Sequence, residues 1–172
     1  MRLAVTDACI FIDLIMLELV EPFFRMPVEI HTTFDVFDEL YPEQQQQLSV
    51  YQLADQLTIH NLTQEDKEKI QETVFPRALS DNDKTVIYLA DKLHALLLSS
   101  DKPVRNYSKA NSIEYHGMLW IFDKLLESNQ ITYQLAIQQI NELTTKNIVY
   151  QNNMELTTEI AKRILRWELA CK

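Results

Sequence analysis

The residues in this sequence best placed to do chemistry are carboxylates that stand where short apolar runs end. Residues 3–6 form one such run, which closes on Asp7. Residues 95–99 form another, continuous and bounded by polar residues, with Asp101 just beyond it. Both read as buried strands. In an open parallel sheet, ligands collect outside the carboxyl ends of the strands, so this fold would bring Asp7 and Asp101 to the same edge despite their separation in sequence. Asp81 and Asp83 open an apolar helical run that leads into the second of these strands. Glu39, with Asp35 and Asp38 close by, lies in a short helical segment after a further strand candidate, residues 28–32. Three or four carboxylates meeting there make an all-oxygen site suited to Mg²⁺ or Mn²⁺. Without a cation they would repel one another and raise one another's pKa, so a divalent ion is their natural companion.

Each acid also has a purely structural reading. Asp7 serves equally as a turn residue after a strand. Asp101 can cap a helix that starts at Pro103. Asp83 lies three residues beyond Ser80 and can complete a capping box. A solvated helix face accounts for Asp35, Asp38 and Glu39. No single acid decides between these readings; the weight lies in their order and spacing.

The elements that must position them alternate in type. Residues 9–19 carry apolar side chains at helical spacing, and Pro22 and Pro27 punctuate the connection that follows. Residues 34–40 read as a helix, the polar 43–47 stretch as a solvated helix face or loop, and residues 57–60 as a third strand. Thr63 to Asp66 resembles a capping box that opens a helix. Val86, Ile87, Leu89, Ala90 and Leu93 mark the helix behind Ser80. Residues 113–115 read as a last short strand, with Gly117 turning the chain into a helix over 118–126. Amphipathic helices follow at 133–143 and 156–169. Strands alternating with helices predict a three-layer α/β/α domain around a central parallel sheet. A shift to helices alone near Ser128 divides the chain into a 1–128 domain and a 129–172 helical extension packed on it.

Composition narrows the functional classes. The one glycine, Gly117, excludes the glycine-rich phosphate loops of nucleotide-binding folds. Cys9 and Cys171 read as free thiols, and no His/Cys spacing suits structural zinc. No serine sits in a Ser-His-Asp motif. No apolar stretch is long enough to span a bilayer, and Asp7 falls where a signal peptide needs its apolar centre, so a cytoplasmic location is expected. The formal charge of −9, from 16 Lys and Arg against 25 Asp and Glu, opposes a broad phosphate-gripping surface. Bound divalent ions would offset part of it. Lys162, Arg163 and Arg166 form a basic patch on the last helix, read as a solvated face. Leu156, Ile160, Ile164 and Trp167 form its apolar stripe, read as core. Of the histidines, His116 is the one candidate for touching a substrate, through its place beside Gly117.

Four segments carry a family resemblance. Val5-Thr6-Asp7-Ala8-Cys9-Ile10-Phe11 resembles the opening of PIN-domain nucleases, where an Asp ends the first strand. Leu79-Ser80-Asp81-Asn82-Asp83, running into Tyr88-Leu89-Ala90, is similar to the helix bearing that family's third acid. Leu97-Leu98-Ser99-Ser100-Asp101-Lys102-Pro103 is similar to its strand-then-Asp segment, and Ile113-Glu114-Tyr115-His116-Gly117 to its last strand and turn. The resemblance covers roughly residues 1–126. By position it places the family's acids on Asp7, Glu39, Asp83 and Asp101. A further small polar residue after the fourth acid would fall on Asn106 or Ser108, neither a clear match. The resemblance implies metal-dependent cleavage of RNA, with Asp7 and Asp101 as principal Mg²⁺ or Mn²⁺ ligands. Asp83 and Glu39 would hold a second ion or orient the attacking water. It also implies a role as the toxin of a toxin–antitoxin pair, with RNA as substrate and an antitoxin-like protein as partner; the apolar stripe on the last helix separately leaves a homodimer open. The competing readings are a PIN-like scaffold that acts through protein binding and a receiver-type signalling domain. The latter wants an acceptor Asp after the third strand, where His60-Asn61 stands instead.

Overall fold

The computed structural model describes residues 2–171. Strand β1 (Arg2–Thr6) leads through Asp7 into α1 (Ala8–Met16), and α2 (Val20–Phe24) then feeds β2 (Val28–Thr33). Next come α3 (Phe34–Glu39), α4 (Pro42–Leu53), β3 (Leu57–His60), α5 (Gln64–Glu72) and α6 (Asp81–Leu93). Strand β4 (Leu96–Leu98), α7 (Lys102–Ala110), β5 (Tyr115–His116) and α8 (Met118–Glu127) complete the alternation. Then α9 (Tyr133–Lys146), α10 (Ile148–Gln151) and α11 (Met154–Ala170) close the chain.

All strand pairs are parallel, in the order β3-β2-β1-β4-β5. The chain runs outward from β1 through β2 to β3, then returns to the other side of β1 for β4 and β5. The order therefore reverses between β1 and β4, which is where a parallel sheet leaves a crevice at its carboxyl edge. Register carries the two acids there: Thr6 pairs with Leu98, and the Asp7 N–H donates to the Leu98 carbonyl at 3.1 Å. The expected three-layer α/β/α arrangement is present. Leu96, Leu97 and Leu98 are buried on both faces, which explains why this strand reads as an unbroken apolar run.

Several local expectations shift. The helix expected over 9–19 stops at Met16, because Glu18 adopts a left-handed φ of 54° and the Leu19 N–H donates to the Leu14 carbonyl. Pro22 falls in the first turn of the short α2, where its missing N–H is not needed. The polar 43–47 stretch is helical throughout, inside α4. The last strand lies at Tyr115–His116 rather than 113–115. Gly117 caps α8 with φ −123°, a conformation any residue adopts, so its turn does not require glycine.

The helices after Ser128 are fastened to the sheet region by apolar and polar contacts. Ile140, Leu143, Tyr150, Ile160 and Trp167 belong to the one continuous core, and Trp167 packs near Phe122 with ring centroids 6.1 Å apart. The Gln139 amide donates to the Leu17 carbonyl at 2.9 Å, holding α9 against the α1–α2 turn. On α11, Arg163 forks onto Asp123 and Glu159, and Arg166 also reaches Asp123. The basic patch is thus largely spent on carboxylates. Among the described residues no helix is long and apolar enough to cross a membrane.

Candidate active site

A cleft of about 310 Å³ opens at the carboxyl edge of β1 and β4, and Asp7, Glu39, Asp83 and Asp101 all line it. Four different elements deliver them. Asp7 is the N-cap of α1, Glu39 ends α3, Asp83 sits in the first turn of α6, and Asp101 is the N-cap of α7. Asp81 points elsewhere: its side chain is 96% exposed and accepts from Lys84 Nζ at 2.7 Å. Asp35 and Asp38 are not on the cleft wall.

The local bonds show how far each structural reading holds. Asp7 does cap α1, accepting the Ile10 N–H on Oδ1 at 3.3 Å. Asp83 does complete a capping box, its Oδ2 taking the Ser80 N–H at 2.7 Å while its own N–H donates to Ser80 Oγ at 3.1 Å. Glu39 Oε2 accepts from Asn82 Nδ2 at 2.8 Å. Asp101 makes no side-chain capping bond. Among the described residues the hydrogen bonds to Asp7, Asp83 and Glu39 engage one carboxylate oxygen each, leaving the other oxygen of each group uncommitted. Capping and ligand roles are therefore compatible in the same side chain.

Cys9 stitches the two principal acids together. Its half-buried thiol donates to Asp7 Oδ1 at 2.8 Å and accepts the Ser100 N–H at 3.3 Å. Ser99 Oγ, 4.0 Å from that sulfur, accepts the Asp101 N–H at 3.1 Å. Burial and the neighbouring Asp7 carboxylate push the thiol pKa well above its ordinary value, so Cys9 stays protonated and remains a donor. The polar partner of the fourth acid thus precedes it. Ser108 is buried with its hydroxyl donating to the Val104 carbonyl, and neither it nor Asn106 lines the cleft. His116 does not line it either; its Nε2 lies 2.8 Å from Glu114 Oε1, and its ring stacks on Trp120 at 4.7 Å.

The helices after Ser128 contribute to the wall through Asn147 and Val149. Asn147 Nδ2 donates to the buried Asp13 at 2.9 Å, 134 positions away, and the Tyr150 hydroxyl lies 2.8 Å from Ser100 Oγ. Nothing in the local sequence signals these long-range partners.

Electrostatically the cleft is under-compensated. Asp7 is only 5% exposed, and desolvation pushes its pKa up to about 6, with the Asp83 charge adding to the push. Hydrogen bonds from Cys9 and Ile10 act against that shift. Asp101 is raised too, by desolvation first and then by Asp83. Asp83 therefore acts on both principal acids. Among the described residues none of the four cleft carboxylates is paired with a Lys, Arg or His.

The family model described as "DUF3368: PIN domain" matches residues 3–164. The chain belongs to the PIN-domain family. PIN domains are generally nucleases that use divalent metal ions. No curated protein matches the sequence. Among solved structures, a domain of a functionally unknown protein from Methanocaldococcus jannaschii DSM 2661 is 20% identical with a TM-score of 0.48, over 68% of this chain and 91% of that one. That likeness is too distant to bear on the chemistry.

The cleft of this PIN domain suits a divalent cation by its donor set. The uncommitted groups are carboxylate oxygens, the ligands that hard Mg²⁺ and Mn²⁺ take. Among the described residues no three His, Cys, Asp or Glu side chains already stand at cage spacing. A bound cation would offset the mutual repulsion of these uncompensated carboxylates.

Proposed function

We propose that this PIN domain is a metal-dependent endoribonuclease that hydrolyses RNA phosphodiester bonds in the cytoplasm. The observation that carries the reading is one cleft lined by Asp7, Glu39, Asp83 and Asp101, with no ion pair to any of them among the described residues. Carboxylates kept for structure in a partly buried cleft are normally paired; these are left available. Helices α9 to α11 belong, in this reading, to the same catalytic unit, since Asn147 and Val149 complete the cleft wall.

A bound Mg²⁺ or Mn²⁺ would supply Lewis acidity to the scissile phosphate and to the attacking water. Asp7 and Asp101 are the principal ligands in this assignment, with Asp83 and Glu39 holding a second ion or orienting the water. Cys9 and Ser99 act as positioning residues, one fixing the Asp7 carboxylate and the other the Asp101 backbone. No side chain needs to act as a covalent nucleophile.

The test is Mn²⁺-dependent cleavage of an unstructured RNA by the wild type, Asp7→Asn and Asp101→Asn. The reading requires cleavage that EDTA abolishes and that falls by at least 100-fold in both variants while each retains its thermal transition. Cleavage unaffected in both variants would refute it. A toxin role in a toxin–antitoxin pair extends this activity. Its separate test is growth arrest on expression, abolished by Asp7→Asn and relieved by the protein encoded beside it.

A further inference from the structure

An acidic protein that cleaves RNA needs some place to hold phosphates, and the distribution of its ion pairs indicates where. Among the described residues, Lys67, Arg77, Lys102, Arg105 and Lys109 are the Lys and Arg side chains that form no ion pair. Three of these five stand on α7, the helix that starts at Asp101 of the cleft. Their spacing is i, i+3, i+7, so they fall in one narrow stripe along a single helix face. The opposite face is anchored, since Val104 and Ser108 are buried.

Lys102 and Lys109 are exposed. Arg105 is half-buried, its guanidinium 5.4 Å over the Tyr115 ring, and among the described residues its side chain donates no hydrogen bond. It also lies near the cleft margin, although it does not line the cleft. A Cβ placed on Gly117 would stand 3.5 Å from Ser100 Oγ and 3.9 Å from Arg105 Nη1, and Ser100 lines the cleft. The nearby Glu114 is already taken by Arg2 and His116. A planar guanidinium with all its donors idle suits a phosphate.

We propose that the α7 stripe of Lys102, Arg105 and Lys109 is the rail that holds the RNA backbone on its way to the cleft; this rests on the nuclease reading above. Along the helix axis the stripe spans about 10 Å. At about 3.4 Å per phosphate on a stacked strand, that accommodates roughly three phosphates. An acidic protein partner would have no reason to be led to Asp101, whereas a strand to be cut must pass it. The rail reconciles a net charge of −9 with a polyanionic substrate, because the unpaired cations concentrate beside the site instead of coating the surface.

The experiment is binding of a fluorescent unstructured oligoribonucleotide to the full chain in EDTA, followed by anisotropy at 50–200 mM KCl. Three phosphate contacts to a single strand give a log–log salt slope of about −2, or roughly 20-fold weaker binding across that range. K102Q/R105Q/K109Q should lose most of this salt dependence. K67Q/K69Q/R77Q, with the same change in charge, should keep it. K102E/K109E alters only exposed side chains and should weaken binding further, guarding against a packing effect at Arg105. Equal slopes in the wild type and the α7 variants would overturn the proposal. So would stripe-dependent binding of poly-glutamate with none of RNA, which would mark an acidic protein as the partner. Wild-type hydrolysis of bis-p-nitrophenyl phosphate in Mn²⁺ reads the cleft separately. Hydrolysis without a stripe effect sinks the rail alone, whereas a stripe effect without hydrolysis upholds the rail and sinks the nuclease.

Discussion

Asp7→Asn should make the metal-free protein more stable at neutral pH. Asp7 is 5% exposed and carries a pKa of about 6 in the folded chain, against 3.8 for the unperturbed group. Its folded pKa is raised, so folding favours the protonated form. The native state binds the extra proton between about pH 4 and 6, and stability falls as pH rises through that window. Above it the buried charge costs up to about 3 kcal/mol, taking 1.36 kcal/mol per pKa unit. Asparagine is neutral, caps a helix as well as aspartate, and keeps an oxygen for the Ile10 N–H and the Cys9 thiol. The variant should therefore gain about 2–3 kcal/mol at pH 7.5 in EDTA. At roughly 2–4 °C per kcal/mol for a chain of this size, its Tm should rise by about 5–10 °C. At pH 4.5 wild-type Asp7 is mostly protonated and the gain should shrink below about 1 kcal/mol. Urea unfolding at both pH values is the assay. A variant less stable than wild type at pH 7.5, or a gain equal at both pH values, would refute the claim that this carboxylate is strained by desolvation.

Other consequences are equally open to measurement. Asn147→Ala leaves the buried Asp13 without its hydrogen-bond donor and should cost about 1–3 kcal/mol at pH 7.5. That cost should fade as pH falls below about 6, where the raised pKa of Asp13 lets it protonate, and urea melts at pH 7.5 and 4.5 would show it. Lys92→Met strands Asp66, whose 6% exposed carboxylate is held well below the usual range by Lys92 and Tyr88. A depressed pKa contributes stability above about pH 4 and loses it in acid, so a loss of about 1–3 kcal/mol should appear at neutral pH and diminish near pH 2. Gly117→Ala should cost less than about 1 kcal/mol by thermal melting, since its φ of −123° is ordinary and the new Cβ would meet its neighbours at 3.5 Å or more.

The strands that position the site were legible because burial on both faces writes them as uninterrupted apolar runs; 96–98 is the clearest case. The capping boxes at Thr63 and Ser80 were legible because their chemistry is local. The break after Met16 was not, because apolar spacing continues straight through Leu17 and Leu19 while the backbone turns at Glu18. Within the site, the placement of Asp7 and Asp101 followed from strand order. The choice of Asp83 over Asp81 came from the family resemblance, by spacing to Ala90, and in the fold Asp83 lines the cleft while Asp81 turns to Lys84. Asn147 and Tyr150 were invisible, because a hydrogen bond across more than a hundred residues to Asp13, or across fifty to Ser100, leaves no periodic trace. The unpaired stripe on α7 was hidden for the opposite reason: the other cations had to be matched to their carboxylates before it stood out.

The most direct measurement is anomalous diffraction at the manganese edge from crystals soaked in Mn²⁺. A peak between Asp7 and Asp101, with carboxylate oxygens of Asp83 or Glu39 completing the shell at about 2.0–2.6 Å, is the predicted result. Manganese bound only at other surface carboxylates, with the Asp7 and Asp101 side chains unmoved and unligated, would contradict the account.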